Sequence, residues 1–203
     1  MPKVTEEHAA NRRRQIVDAA RACFVRNGFH QTSMQDIIAE AGLSVGAVYS
    51  YFKSKDELIG AIVQDVGEHI NANLGSAVGA DPAPDLDVAL SAALNVMESQ
   101  LEGLFRLAVQ MWGEAIRDPA VGVHVTGVYE TVRGHYSALA QRLIADGRLA
   151  PGTDPLAVAS VLLSMTQGYG LQRVLMTGLT QESYLNGVRA IIATVGNQPN
   201  LRG

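Results

Sequence analysis

Residues 42–46 read Gly-Leu-Ser-Val-Gly, the letter pattern of the turn that presents a nucleophilic serine in many hydrolases. That turn needs a β-strand before the serine and a helix after it. Here the preceding residues carry Ile37, Ile38 and Ala41 at helical spacing, and no strand pattern lies nearby. Ser44 is therefore better explained as the N-cap of a helix than as a nucleophile.

The other side chains that commonly do chemistry form no coherent set. The histidines lack the spacing of a metal site, so we expect them on the surface or lining a pocket: His8, His30, His69, His124 and His135. Cys23 is the single cysteine and lies on an apolar helical face, so no internal disulfide is possible. We predict no catalytic residue, no metal site and no cofactor.

Two short predicted helices flank the glycine turn, with bounds Met34–Ala41 and Val45–Tyr51 around Gly42–Ser44. Thr32 and Gln35 have capping-box spacing at the start of the first helix, and Gly42 suits the left-handed residue that ends it. Val48 and Phe52, four residues apart, should face a small core. This pattern is typical of a helix-turn-helix, which places its second helix in the DNA major groove.

An amphipathic helix precedes this pair, with apolar residues at i, i+3, i+4, i+7 and i+8: Ile16, Ala19, Ala20, Cys23 and Phe24. Asn27 and Gly28 should end that helix, with Phe29 making the capping contact. The sequence thus predicts a three-helix DNA-binding unit from about Asn11 to Phe52.

Residues 11–56 resemble the DNA-binding domain of the TetR family of bacterial transcriptional regulators. The matching positions are Ile16–Ala20, Phe24, Gly28–Phe29, Thr32–Ser33, Asp36–Ile37, Ala41–Ser44, Gly46, Tyr49–Phe52 and Lys53–Leu58. Ile38 departs from the pattern, because the family usually has alanine there. The resemblance implies an all-α, nine-helix architecture: a helix-turn-helix domain at 1–54, then a linker helix and a ligand-binding and dimerisation domain at 55–203.

The expected DNA contacts combine phosphate donors with the exposed residues of the second helix: Arg12, Arg13, Thr32, Ser33, Ser44, Val45, Gly46, Ala47, Tyr49, Ser50, Tyr51, Lys53 and Lys55. The arginines could equally be a solvated helix start, and Tyr51 could pack in the core. The second helix has no arginine, asparagine or glutamine for bidentate base contacts. Readout should therefore lean on thymine methyl groups, close approach at Gly46 and DNA shape.

Charge is distributed unevenly along the chain. Residues 1–55 carry eight basic and five acidic side chains, a net charge of +3, whereas residues 56–203 carry eight basic and fifteen acidic ones, a net charge of −7. The asymmetry favours a DNA-facing end and a body that repels phosphate. Without a signal-like segment or a run of about twenty apolar residues, we expect a cytoplasmic protein with no membrane partner.

Further helical patterns follow, with a loop at Gly75–Asp85; the predicted helices are Asp56–Asn73, Leu86–Glu102, Leu104–Arg117, Pro119–Ala145, Pro155–Met176 and Gln181–Val195. Asp118, Asp154 and Thr180 stand where N-caps are expected. The last two helices carry apolar residues on more than one side and should either be central to their own domain or form a subunit interface. The resemblance implies a homodimer through a four-helix bundle, with interface residues Val161, Gly168, Gly187, Ala190, Ile191 and Thr194.

The middle helices are rich in methionine and aromatic side chains, which indicates either an ordinary core or an apolar ligand cavity with polar anchors. The candidate ligand residues are Met97, Phe105, Met111, Trp112, Glu114, Tyr129, Met165 and Tyr169. We therefore expect a homodimeric repressor that binds double-stranded DNA at a palindromic operator and responds to a small apolar effector. The alternatives are a constitutive or architectural DNA-binding protein without an effector, and an all-helical enzyme.

Overall fold

The computed structural model describes residues 6–99 and 104–196, and all regular structure within them is α-helical. The helices are α1 (Glu6–Asn27), α2 (Met34–Ala41), α3 (Val45–Tyr51), α4 (Lys55–Val78), α5 (Leu86–Ser99), α6 (Leu104–Arg117), α7 (Pro119–Ala145), α8 (Pro155–Leu175) and α9 (Gln181–Gly196). The predicted all-α, nine-helix architecture is confirmed. In this part of the chain, no helix is both long enough and apolar enough to cross a bilayer.

Two helices are longer than predicted. Helix α1 already begins at Glu6, where two acidic residues in the first turn favour a helix N-terminus. Helix α4 runs to Val78, so Gly75 is helical and not part of a loop. A Cβ atom at Gly75 would lie 3.0 Å from Cε1 of His135 on α7, so the glycine permits close packing of the two helices. The predicted end of α5, at Glu102, lies outside the described residues.

The chain divides into two compact units, and the first contains residues up to Glu68 together with Arg106–Val128. Its core joins α1, α2, α3, α4 and α6 through fully buried side chains: Ile16, Ala20, Phe24, Ile37, Val48, Leu58, Ile59 and Leu107. Phe52 is also buried, as predicted from its spacing to Val48. The apolar faces of the first three helices therefore meet in one core.

The second unit contains His69–Phe105 and the residues from Tyr129 onward. Tyr136 and Leu74 lie at the centre of one buried cluster, and Tyr169 and Leu90 belong to another. Arg142 of α7 donates to the backbone oxygens of Val78, at 2.8 Å, and Ala80, at 2.7 Å. It thereby satisfies carbonyl groups that the end of α4 leaves without helical partners. The functional boundary between residues 54 and 55 stays a prediction.

Most of the predicted helix starts are capped as expected. The Asp154 carboxylate accepts from the Leu156 N–H at 2.9 Å, and the Asp118 carboxylate accepts from the Ala120 N–H at 2.8 Å. At the start of α9, the Thr180 hydroxyl accepts from the Ser183 N–H at 3.1 Å. These side chains satisfy amide groups that a helix N-terminus leaves unpaired.

Candidate nucleic-acid interface

Ser33, and not Thr32, caps helix α2. The Ser33 hydroxyl accepts from the Asp36 N–H at 3.2 Å, and the Asp36 carboxylate accepts from the Ser33 N–H at 2.8 Å. The Ser33 N–H and the Ser33 hydroxyl, which also donates to the Asp36 carboxylate at 2.7 Å, hold the pKa of Asp36 below its usual value. The predicted capping box of Thr32 and Gln35 was wrong, because the serine and aspartate one residue further on form it instead.

Thr32 has a different role from the predicted DNA contact. Its side chain is buried, and its hydroxyl donates to the Gly28 carbonyl at 2.7 Å. The hydroxyl is therefore used inside the α1–α2 turn and is not available to a phosphate. Ser33, partly exposed at the N-terminus of α2, keeps the position that the sequence predicted for it.

The turn between α2 and α3 has the predicted geometry. Gly42 has a φ of 63°, the left-handed conformation that glycine adopts without a steric penalty. The Ser44 hydroxyl accepts from the Ala47 N–H at 3.3 Å and so caps α3. The Gln15 amide of α1 donates to the Ala41 carbonyl at 2.7 Å, which ties the end of α2 to α1. Helix α3 is thus fixed at its start by a cap and on one side by the core.

The side of α3 that faces away from the core is exposed. Val48 is fully buried, whereas Val45 is 59% exposed, and Ser44, Gly46 and Ser50 are exposed as well. A Cβ atom at Gly46 would meet no other atom within 4 Å, so packing within the chain does not require glycine there. Ala47 and Tyr49 are half-buried at the edge of this face.

The basic residues after α3 are held by backbone oxygens. The Lys53 ammonium donates to the Tyr49 carbonyl, and the Lys53 N–H donates to the Glu57 carboxylate at 2.6 Å. The Lys55 ammonium donates to the Phe29 carbonyl at 3.1 Å and lies 4.5 Å from the centroid of the Phe29 ring. The Lys53 ammonium is therefore placed at the C-terminal end of α3, and the Lys55 ammonium lies against the α1–α2 turn. Tyr51 is half-buried and packs against the core of the first unit.

The arginines of α1 border the same region. The Arg13 guanidinium lies 5.3 Å from the centroid of the Phe52 ring, which follows directly after α3. The Arg12 guanidinium donates to the Gln15 side chain at 2.9 Å. Arg12 and Arg13 therefore lie within the same small unit as α3, and their partners are neutral groups.

Glu114 contacts the turn between α1 and α2, a position that the sequence did not predict. Its carboxylate lies 2.8 Å from Nε2 of His30 in the α1–α2 turn, and its side chain is 12% exposed. Glu114 was expected to anchor a ligand, but the carboxylate is paired within the first unit. Nothing in the local sequence pattern indicates this contact, because the two residues lie far apart in the chain.

The other candidate ligand residues belong to different compact units. Met111 and Trp112 are part of the first unit, and Met97, Tyr129, Met165 and Tyr169 are part of the second. Tyr169 is fully buried, and its hydroxyl donates a hydrogen bond to the Glu98 carboxylate. Burial raises the pKa of Tyr129 to about 12, although its side chain also bonds Gln167. The side chain of Phe105 lies outside the described residues.

The candidate dimer residues lie on an exposed apolar surface of α8 and α9. Val161 is 53% exposed and Ile191 is 61% exposed, and Gly187 and Ala190 are exposed on α9. Gly168 is half-buried, and the side chain of Thr194 lies outside the described residues. An open groove of about 410 Å³ runs along this surface, lined by Ser160, Val161, Ser164, Met165 and Tyr184. Met165, expected in the ligand cavity, is thus at the candidate dimer surface.

Comparison with known proteins gives two family matches. Residues 16–62 match the model described as bacterial regulatory proteins of the tetR family. Residues 85–196 match the model described as the C-terminal part of BetI-type transcriptional repressors.

Individual proteins match along most of their lengths. The HTH-type transcriptional regulator YfiR of Bacillus subtilis is 31% identical over 173 residues, which cover 82% of each chain. UidR of Escherichia coli, also an HTH-type transcriptional regulator, is 27% identical over 184 residues, covering 90% of this chain and 92% of UidR. The solved structure of Salmonella enterica GusR superposes with a TM-score of 0.76 at 26% identity, covering 95% of this chain and 98% of GusR. 

The named relatives are regulators, which supports the prediction that the chain is not an enzyme. The capped α2–turn–α3 motif, the family matches and the relatives agree: the chain belongs to the TetR family of bacterial transcriptional regulators.

Proposed function

We propose that the protein is a homodimeric, ligand-responsive repressor that binds a palindromic operator through helix α3. The observation that carries the proposal is the exposed face of α3, whose opposite face is fixed in the core by Val48. A rigid helix with one free face is what insertion into a major groove requires. Two such helices, related by a two-fold axis, would meet two half-sites of a palindrome.

The residues proposed to contact DNA divide into two groups by the DNA groups they suit. Ser44, Val45, Gly46, Ala47 and Ser50 would face base edges, where the valine and alanine methyl groups can contact thymine methyls. The absence of a Cβ at Gly46 would let the helix backbone come close to the bases, since nothing within the chain requires glycine there. This group would allow α3 to discriminate between DNA sequences.

The second group consists of donors for phosphate oxygens: Arg12, Arg13, Tyr49, Tyr51, Lys53 and Lys55. Ser33 is not among them, because its hydroxyl and its N–H both donate to the Asp36 carboxylate. Lysine has three N–H donors, so the Lys55 ammonium can bond the Phe29 carbonyl and still donate to a phosphate. Such contacts supply affinity and register without reading the sequence. Their number should appear in the salt dependence of binding.

The experiment starts from DNA selected out of a random pool by the full-length protein. Affinity for the selected duplex and for a random duplex is measured by fluorescence anisotropy between about 0.05 and 0.2 M salt. Lys55→Ala should weaken binding to both duplexes and reduce the salt slope by about one. Arg133→Ala, at an exposed arginine of the second unit, is the matched control and should leave the slope unchanged. Equal affinity of the wild type for selected and random DNA would refute the proposal.

The homodimer is supported by the exposed apolar side chains of α8 and α9. Large exposed apolar patches in a folded chain commonly mark an interface. On these two helices the exposed large apolar residues are Leu156, Val161, Leu171, Leu175, Ile191 and Ile192. A second copy, related by two-fold symmetry, would bury the same surface on both chains.

The effector is proposed to be a small, mainly apolar molecule that binds near Trp112 and releases the protein from DNA. Helix α4 begins at Lys55, next to α3, and continues into the second unit, so a change in its direction would move the DNA-contacting residues. A ligand can shift this equilibrium only if it prefers the conformation that fits DNA poorly.

Trp112 is the only tryptophan, so its fluorescence reports ligand binding directly. A compound that changes this fluorescence should weaken operator binding roughly 5- to 150-fold, and the operator should weaken its binding by the same factor. A compound that binds tightly without changing operator affinity would contradict the mechanism. It would favour the alternative, a DNA-binding protein that acts constitutively.

A further inference from the structure

The turn between α1 and α2 is held by two helices of the first unit. From α6, the Glu114 carboxylate lies 2.8 Å from Nε2 of His30. From α4, the Lys55 ammonium donates to the Phe29 carbonyl at 3.1 Å. The two contacts are made to neighbouring residues of one turn, Phe29 and His30. A displacement of Glu114 that moves His30 should therefore also move Phe29 and the Lys55 ammonium bound to it.

The two contacts are also joined through ring packing. The Phe29 and His30 rings lie 5.5 Å apart, centroid to centroid, at an interplanar angle of 64°. The Phe29 ring packs edge-on against Phe24 of the α1 core at 5.4 Å, and it carries the Lys55 ammonium at 4.5 Å from its centroid. Phe29 therefore has little freedom to move without displacing Lys55.

The Glu114 carboxylate is a nearly buried charge, and His30 is the partner that can neutralise it. A buried carboxylate without a counter-charge is costly, because it has lost most of its hydration. Gln110, one turn earlier on α6, is also turned inward, and its side-chain oxygen has no hydrogen-bond donor. This oxygen would lie 4.0 Å from a Cβ atom at Gly28, so α6 approaches the turn at Gln110 as well as at Glu114.

We propose that Glu114 and His30 are positioning residues for DNA binding: their ion pair holds the α1–α2 turn, and through Phe29 it holds Lys55 in the arrangement that contacts phosphate. Operator affinity then depends on whether His30 is protonated, although His30 itself touches no DNA. The inference rests on the proposed phosphate contact of Lys55.

The direction of the pH effect follows from the charges. Protonated His30 forms an ion pair with the Glu114 carboxylate, whereas neutral His30 can only donate an N–H to it, so the contact is weaker in the neutral form. The contact is therefore stronger at low pH, where an imidazole is protonated, than at high pH, where it is neutral. Lys55 of α4 is the other charged group that these contacts place at the turn. Arg26 of α1 is instead paired with Glu40 of α2 at 2.8 Å.

The test compares operator affinity at pH 6 and pH 8, at fixed ionic strength, using the full-length protein and the selected duplex. Wild-type affinity should fall about fivefold more than that of Glu114→Gln over this range, the factor expected when an ion pair weakens to a hydrogen bond with a neutral donor. Glu114→Gln keeps the size of the side chain and a hydrogen-bonding oxygen but removes the charge. His30→Gln, at a side chain that is 65% exposed and so tolerant of change, should flatten the pH profile in the same way.

The control is His124→Gln, which removes another imidazole of the first unit, lying on α7 against Gly60, and should keep the wild-type pH profile. A purely structural role for Glu114 would lower affinity equally at both pH values, and that result would overturn the proposal. Identical pH profiles for the wild type, Glu114→Gln and His30→Gln would overturn it as well. Failure of the wild type to prefer selected DNA at either pH would instead refute the proposed function, on which this inference depends.

Discussion

Gly187→Glu gives the sharpest test of the proposed dimer, because the isolated chain should tolerate it. Gly187 is exposed on α9, and a Cβ atom placed there would meet no other atom within 4 Å. Replacing a helical glycine by glutamate stabilises a helix by roughly 0.5–1 kcal/mol, because the unfolded chain has less freedom to lose. In a monomer the substitution should therefore raise the melting temperature slightly.

In the dimer the same substitution should be strongly unfavourable. Two-fold symmetry would place one new carboxylate from each chain in the interface. A buried charge without a partner typically costs about 3–5 kcal/mol. Even a single penalty of about 3 kcal/mol would raise the dimer dissociation constant more than 100-fold. The protein should then be monomeric at micromolar concentration, and operator affinity should fall because one half-site alone binds weakly.

The measurement is sedimentation velocity with thermal unfolding on the same samples. Gly134→Glu on α7 is the matched control: that glycine is also exposed and helical, and a Cβ atom there would meet nothing within 4 Å. The control should remain dimeric and melt at a slightly higher temperature. A Gly187→Glu protein that stays dimeric with unchanged affinity between the chains would refute the placement of Gly187 in the interface. A monomeric wild type would refute the dimer itself.

Four further outcomes concern the DNA-binding unit and Tyr129 of the second unit. Gly42→Ala should lower the free energy of unfolding by about 1–2 kcal/mol in chemical denaturation, because a φ of 63° strains any residue with a Cβ. Gly46→Ala should fold normally, because a Cβ atom there would meet no other atom within 4 Å, but it should lose operator affinity. Ser33→Ala should cost about 1 kcal/mol through the lost cap. Because the pKa of Asp36 is lowered in the folded state, its stabilising effect is present at neutral pH and lost on acidification, so Ser33→Ala should reduce the acid dependence of unfolding. Tyr129 should stay neutral in an ultraviolet titration until about pH 12, and earlier ionisation would contradict its burial.

The sequence predicts α2 and α3 well because their limits are set by neighbouring residues. Gly42 ends one helix by its own conformation, and Ser44 starts the next through a hydrogen bond three residues along. The error at Thr32 also concerns neighbouring residues. Thr32 and Ser33 both have a hydroxyl that can cap α2, and Ser33 is the cap because Asp36 lies three residues after it. Which hydroxyl turns inward depends on the carbonyl of Gly28, part of a turn whose shape the spacing alone does not define.

Long-range packing decides what the sequence could not predict. Helix α4 continues through Gly75, where His135 of α7 packs against the glycine, and Arg142 donates to the Val78 carbonyl at its end. The role of Glu114 also depends on long-range packing. From the sequence alone, an acidic residue on an amphipathic helix is equally compatible with a ligand site and with an exposed surface. His30 could be identified as that partner only when α6 and the α1–α2 turn were brought together.

Trp112 and Glu114 both lie on α6 within the first unit, so the geometry of the helix gives the relative directions of their side chains. Two residues apart on an α-helix, their side chains point about 200° away from each other around the axis. A ligand at Trp112 would therefore not touch the Glu114–His30 pair, and it could affect that pair only by turning or shifting the helix as a body. Packed helices resist small continuous deformations, so the response should be a change between two discrete positions of α6. The ion pair would then contribute to the free energy that an effector must supply to move the helix and, with it, the turn that holds Lys55.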